Sequence, residues 1–120
     1  MSEQLRLSVI IPCYNEEDII ATTYNRLMEV VNTNGYNTNY EVIFIDDGSK
    51  DGTLRFLESK AAENTNIKVL SFSRNFGHQP AVCAGICEAT GDVAIIIDAD
   101  LQDPPELFPD IIAKYQETKA

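Results

Sequence analysis

Apolar residues along the chain gather in four short runs, separated by longer stretches where they recur every third or fourth position. Leu5–Pro12 (LRLSVIIP), Tyr40–Ile45 (YEVIFI), Ile67–Phe72 (IKVLSF) and Val93–Ile97 (VAIII) are rich in β-branched residues and bounded by turn formers, the pattern of buried strands. Between the first two, Ile19, Ile20, Thr23, Leu27, Val30 and Val31 carry helical spacing across Glu17–Asn34, and Gly35 closes the segment. Thr53–Glu63 repeats the pattern with Leu54, Leu57 and Ala61 on one face. After a polar loop, Ser73–Gln79, Pro80 suits the first turn of a third helix. Ala81, Val82, Gly85, Ile86 and Ala89 form its expected stripe, ended by Gly91. Pro109 would interrupt a helix begun at Pro104–Pro105. A turn and then a helix over Pro109–Lys119 are therefore expected, with Leu107, Phe108, Ile111, Ile112 and Tyr115 toward the sheet.

Strict alternation of strand and helix predicts an α/β fold: a mainly parallel sheet with helices on both faces and right-handed crossovers. The fourth strand is apolar throughout, as expected when both sheet faces are covered. Residues 1–120 show no repeat, linker or low-complexity segment, so they read as one domain or part of one. In open sheets of this kind ligands bind beyond the carboxyl ends of the strands. Four polar clusters follow the strands there: Pro12-Cys13-Tyr14-Asn15-Glu16-Glu17, Asp46-Asp47-Gly48-Ser49, Ser73-Arg74-Asn75-Phe76-Gly77-His78, and Asp98-Ala99-Asp100-Leu101-Gln102-Asp103.

Charge narrows the ligand. A formal net charge of −10 disfavours nucleic acid as a partner. An acidic protein can still bind an anion through a divalent cation held by its carboxylates. The three cysteines, Cys13, Cys83 and Cys87, form no Cys-x-x-Cys pair, which argues against a disulfide framework or zinc ribbon. Reduced, mostly buried thiols in a cytoplasmic setting are expected. Met1–Arg6 is too short and polar for a signal peptide, and no apolar run approaches the ~20 residues of a membrane span. Dinucleotide, P-loop and nucleophile-elbow signatures are all absent.

Asp98 and Asp100 lie two apart, so on an extended segment their carboxylates point the same way. They repel unless a cation neutralises them, and Mg²⁺ or Mn²⁺ with oxygen ligands does so. Gln102 adds a third oxygen at the same spacing. A solvated loop capping a helix fits these residues too. Asp46-Asp47-Gly48-Ser49 reads either as a ligand-facing turn or as a turn with a helix cap at Ser49 or Asp51.

Taken together, Val9-Ile10-Ile11-Pro12-Cys13-Tyr14-Asn15-Glu16, Val42-Ile43-Phe44-Ile45-Asp46-Asp47-Gly48-Ser49 and Asp98-Ala99-Asp100 resemble the GT-A fold of family-two glycosyltransferases. Ser73–Gln79 and Asp98–Glu106 resemble the dolichol-phosphate mannosyltransferase and bactoprenol glucosyltransferase branch. The resemblance implies a sheet order of 3-2-1-4 and a UDP- or GDP-sugar donor. It implies nucleotide contacts at Pro12, Tyr14, Glu16, Asp46, Asp47, Arg74 and Asp98, with Asp47 the acid that binds the base. It implies a metal, Mg²⁺ or Mn²⁺, at Asp100, Gln102 and Asp98, with Asp98 and Asp100 carrying catalysis.

The implied reaction is metal-dependent, inverting transfer of the sugar to a polyprenyl phosphate. The acceptor half and membrane helices would follow this segment, placing the longer protein at the cytoplasmic face of a membrane. The segment alone would then bind its ligand without turning it over. A nucleotide-sugar-binding module without catalysis, or a transferase that makes polysaccharide or decorates glycans, fits the same motifs. A response-regulator receiver does not, since its acidic pair would follow the first strand, where Cys13-Tyr14-Asn15-Glu16 stands. An uncovered fourth strand would invite self-association through its outer edge, or leave a soft C-terminal region.

Overall fold

The computed structural model describes residues 6–33 and 40–97. The expectations for Gly35, for the last helix and for Asp98, Asp100 and Gln102 lie outside the described residues. The elements follow in the order β1 (Leu7–Cys13), α1 (Ile20–Thr33), β2 (Tyr40–Asp46), α2 (Thr53–Glu63), β3 (Ile67–Ser71), α3 (His78–Glu88) and β4 (Val93–Ile96). All pairings are parallel and the order is β3-β2-β1-β4, as the resemblance implies. Ends differ from the sequence reading by one to three residues. Residues 17–19 form a turn ahead of α1, in which the Glu16 carbonyl accepts from the N–H groups of Ile19 (3.0 Å) and Ile20 (2.8 Å).

Alternation along the strands splits the core into two layers. On one face Val9, Ile11, Val42, Phe44, Ile95 and Ile97 pack with Ile20 and Leu27 of α1 and Leu57 of α2. On the other, Ile10, Ile43 and Ile45 pack with Ala81 of α3. α3 comes down on the sheet at Gly85, where a Cβ would lie 2.5 Å from Ile10 Cγ2 and 2.9 Å from Ile45 Cδ1.

That close approach corrects the stripe expected for α3. Ala81 and Gly85 are buried, but Ile86 is 50% exposed, because contact through the two small residues turns it away from the sheet. The cysteines are corrected as well: Cys13 is buried, whereas Cys83 and Cys87 are exposed on α3. β4 is covered on one face only among the described residues. Ile95 and Ile97 are buried while Ala94 and Ile96 are exposed, since α3 packs over β1 and β2.

The end of the sheet where the strands begin is closed by a buried carboxylate. Glu41, at the start of β2, has a fully buried side chain. Its Oε2 accepts from Ser8 Oγ (2.6 Å), the Thr90 N–H (2.6 Å) and Thr90 Oγ1 (3.1 Å). Its Oε1 meets Lys68 Nζ at 2.7 Å and an Arg6 guanidinium nitrogen at 3.7 Å. Ser8 Oγ in turn accepts from the Gly91 N–H at 2.8 Å. Burial by itself would raise the Glu41 pKa, but the hydrogen bonds from Lys68, Ser8 and Thr90 outweigh it and hold the group down at about 2. One side chain on β2 thus bridges β1, β3 and the turn that sets the start of β4.

Candidate functional site

At the opposite end, the parallel register brings the loops after β1, β2 and β3 to one rim. The first two are tied together by hydrogen bonds. Asn15 adopts a left-handed backbone (φ 52°), which asparagine tolerates better than most residues. Its N–H donates to Ser49 Oγ (2.8 Å), and its side-chain oxygen accepts from the Lys50 N–H (2.8 Å). The Glu16 N–H donates to Thr53 Oγ1 (2.9 Å), and Glu17 Oε1 accepts from the Gly52 N–H (2.6 Å). Asp51 Oδ1 accepts from the Thr53 N–H (3.0 Å) and hydroxyl (2.6 Å), but the N-cap of α2 is Gly52, so the side-chain cap expected at Ser49 or Asp51 is not formed.

The third loop is joined to the second by Asp47 and Gly48. Asp47 Oδ1 accepts from the Phe76 N–H (2.7 Å), and Oδ2 from the Gly77 N–H (2.9 Å) and Asn75 Nδ2 (3.1 Å). Gly48 has φ +76°, and a Cβ there would stand 2.3 Å from the Arg74 carbonyl carbon. Only glycine lets the two loops approach this closely.

Between the three loops lies a cavity of about 330 Å³, at the small end of the range for small-molecule sites. Its lining includes Tyr14, Asp46, Ser49, Lys50, Arg74 and Asn75. Asp46 is 1% exposed; its Oδ2 accepts from the Ser49 N–H at 3.2 Å. Its Oδ1 is buried and has no hydrogen-bond partner among the described residues. An unpaired buried carboxylate oxygen costs free energy and marks a place where a donor is missing.

Of the residues singled out in the sequence, Tyr14, Asp46 and Arg74 therefore meet at one cavity. Pro12 is buried within β1 opposite Ile45, Glu16 turns the chain into α1, and Asp47 is engaged with the third loop. Ser49, Lys50, Ser71, Ser73 and Asn75 also line the cavity; the sequence reading took Ser49 as a candidate helix cap and gave the others no role of their own. Their shared signal is position, at or within four residues of a strand's carboxyl end. The described chain ends at Ile97, whose N–H donates to the Ile10 carbonyl at 3.0 Å.

The sequence profile of Glycosyl transferase family 2 matches residues 8–120. An uncharacterized glycosyltransferase, YkcC, of Bacillus subtilis is 45% identical over 98% of this chain and 36% of its own length. A prophage bactoprenol glucosyl transferase homolog of Escherichia coli is 42% identical over 93% of this chain and 36% of its own. Among solved structures, the mannosyltransferase PcManGT of Pyrobaculum calidifontis, in complex with GDP-Man and Mn²⁺, superposes with a TM-score of 0.70. It shares 26% identity, covering 82% of this chain and 28% of its own. The chain spans about a third of the length of the curated relatives it matches.

Proposed function

Because the chain belongs to glycosyl transferase family 2 and has its GT-A fold, we propose that it forms the nucleotide-sugar-binding part of an enzyme that glycosylates a polyprenyl phosphate. The observation that carries this reading is the rim cavity on which Tyr14, Asp46, Lys50 and Arg74 meet. Tyr14, 41% exposed at the cavity, offers a ring face on which a base can stack. Arg74 and Lys50 supply positive charge for a diphosphate in an otherwise acidic protein. Pro12, Glu16 and Asp47 complete the nucleotide set as residues that shape the loops.

Asp98, Asp100 and Gln102 are the proposed metal ligands. Two carboxylates and an amide oxygen form a hard donor set of the kind Mg²⁺ and Mn²⁺ prefer. Among the described residues no group of three His, Cys, Asp or Glu converges to hold a metal. A bound divalent ion would neutralise charge developing on the leaving diphosphate. The chain's own part is to orient the donor sugar so that an acceptor phosphate, already anionic near neutral pH, can attack from the opposite side with inversion. Such an acceptor makes a strong general base unnecessary.

Donor and acceptor in this reading follow related proteins, a bactoprenol glucosyl transferase homolog and a mannosyltransferase in complex with GDP-Man and Mn²⁺. In this reading the whole protein acts at the cytoplasmic face of a membrane. The described residues include no helix long and apolar enough to cross one.

Calorimetric titration of UDP and GDP into the chain, with and without Mn²⁺, tests the proposal. Metal-dependent binding of one of them is expected, and the preferred base names the donor class. Binding of neither, by the chain or by the full-length protein, would overturn it.

A further inference from the structure

α3 is seated on the sheet by two small residues. Ala81 and Gly85 are buried, and a Cβ on Gly85 would lie 2.5 Å from Ile10 Cγ2. At about 100° per residue, the positions two further along point to roughly the opposite side of the helix. Those positions are Cys83 and Cys87, and both are exposed. Free cysteine is among the most buried residue types, as Cys13 is in this chain. Two thiols turned to water on one helix face depart from that habit together.

Four residues apart on a helix, the two side chains stand one above the other, with Cβ atoms about 5–6 Å apart. A disulfide needs Cβ atoms about 3.5–4.5 Å apart, so joining the sulfurs directly would distort α3. An ion held between them needs no such closure. At about 2.3 Å for each metal–thiolate bond, the sulfurs of a bridged ion stand up to about 4.6 Å apart, a span the pair reaches in staggered rotamers.

The surroundings select among ions. Zinc in a closed site takes four ligands. One turn before and after the pair stand Gln79, Pro80, Thr90 and Gly91, and Ile86 is exposed beside Cys87. Among the described residues no third His, Cys, Asp or Glu joins the two thiols in a metal-holding group. Two soft sulfurs without further ligands suit a soft cation satisfied by two, and Cu(I) is of that class.

We infer that Cys83 and Cys87 form a two-thiolate site for a soft, two-coordinate cation of the Cu(I) class on the outer face of α3. Binding releases both thiol protons to solvent and leaves an anionic bis-thiolate complex, with no change of oxidation state at sulfur or metal. α3 begins at the rim and runs away from it, and Cys87 lies in its last turn. The site therefore stands apart from the rim cavity and owes nothing to the nucleotide-sugar reading.

The test uses the whole chain without nucleotide. A chromogenic disulfide reagent should find two fast thiols in the folded chain, and should reach the buried Cys13 only on unfolding. Cu(I) is then titrated anaerobically against a chromophoric Cu(I) chelator, and native mass spectrometry reads the stoichiometry. One ion on a single chain is expected. Cys83→Ser and Cys87→Ser should each lower the affinity about a hundredfold, because the second sulfur no longer acts at high effective concentration. Both serines stand at exposed positions, and circular dichroism checks that each variant keeps its helices. Glu88→Cys combined with Cys87→Ser retains two thiols on α3 but turns one about 100° around the helix, so it should not restore binding. Fewer than two fast thiols, one ion shared between two chains, full affinity in either serine variant, or recovery in the shifted pair would each overturn the inference.

Discussion

β2 carries a buried carboxylate at each end, and the two ends are built to opposite purposes. Glu41, where the strand begins, is saturated by hydroxyls, a backbone N–H and two cations from three other segments. Asp46, where the strand ends, holds one N–H and leaves an oxygen bare among the described residues. Both side chains are out of water, so exposure does not distinguish them. Saturation does. A buried charge whose partners are all supplied by the chain specifies the fold. One left short does not serve the fold in the same way.

The strongest way to break this comparison is Glu41→Ala. It would leave the partners of a buried charge unpaired, so unfolding stability should fall by about 3–5 kcal/mol. Urea unfolding would show this as a shift in midpoint, and a change under ~1 kcal/mol would remove the contrast between the two ends.

Acid provides the next largest effect. Glu41 titrates in the folded state at about 2, below its ordinary 4.5, so its stabilisation is complete above about pH 4.5 and is lost as pH falls toward 2. Glu41→Gln should lack that part of the pH dependence. Parallel stability curves for the two proteins between pH 5 and 2 would show that the group contributes nothing through its charge.

The smallest effect sharpens the other end. Asp46→Asn should change stability by less than ~1 kcal/mol, because it exchanges one incompletely paired group for another. The same variant should lower nucleotide affinity about tenfold. A midpoint that fell as far as in Glu41→Ala would make Asp46 a structural group like its counterpart.

These differences mark what was legible in the sequence. Strand and helix follow from local periodicity, so all seven described elements stand where the pattern puts them, and the strand order agrees with the resemblance. The rim was legible too, since position after a strand is local information. Glu41 was not, because its partners lie 33 and 49 residues away and only the parallel register assembles them. Ile86 was misplaced because helical spacing does not reveal that Gly85, lacking a side chain, brings the helix in at that point. Asp47 stands at the rim, where its place after β2 puts it. The sequence could not show that its oxygens were already taken by a loop almost thirty residues on.

The bridge at Glu41 also bears on the order in which the chain can close during synthesis. Ser8 and Glu41 leave the ribosome early, but Thr90 and Gly91 come last, and Gly91 completes a bond to Ser8 across 83 residues. Until then the carboxylate must stay in water, and burying β2 is penalised. A nascent chain ending before residue 90 therefore has reason to hold its first three strands loosely, and the sheet locks as the turn into β4 emerges.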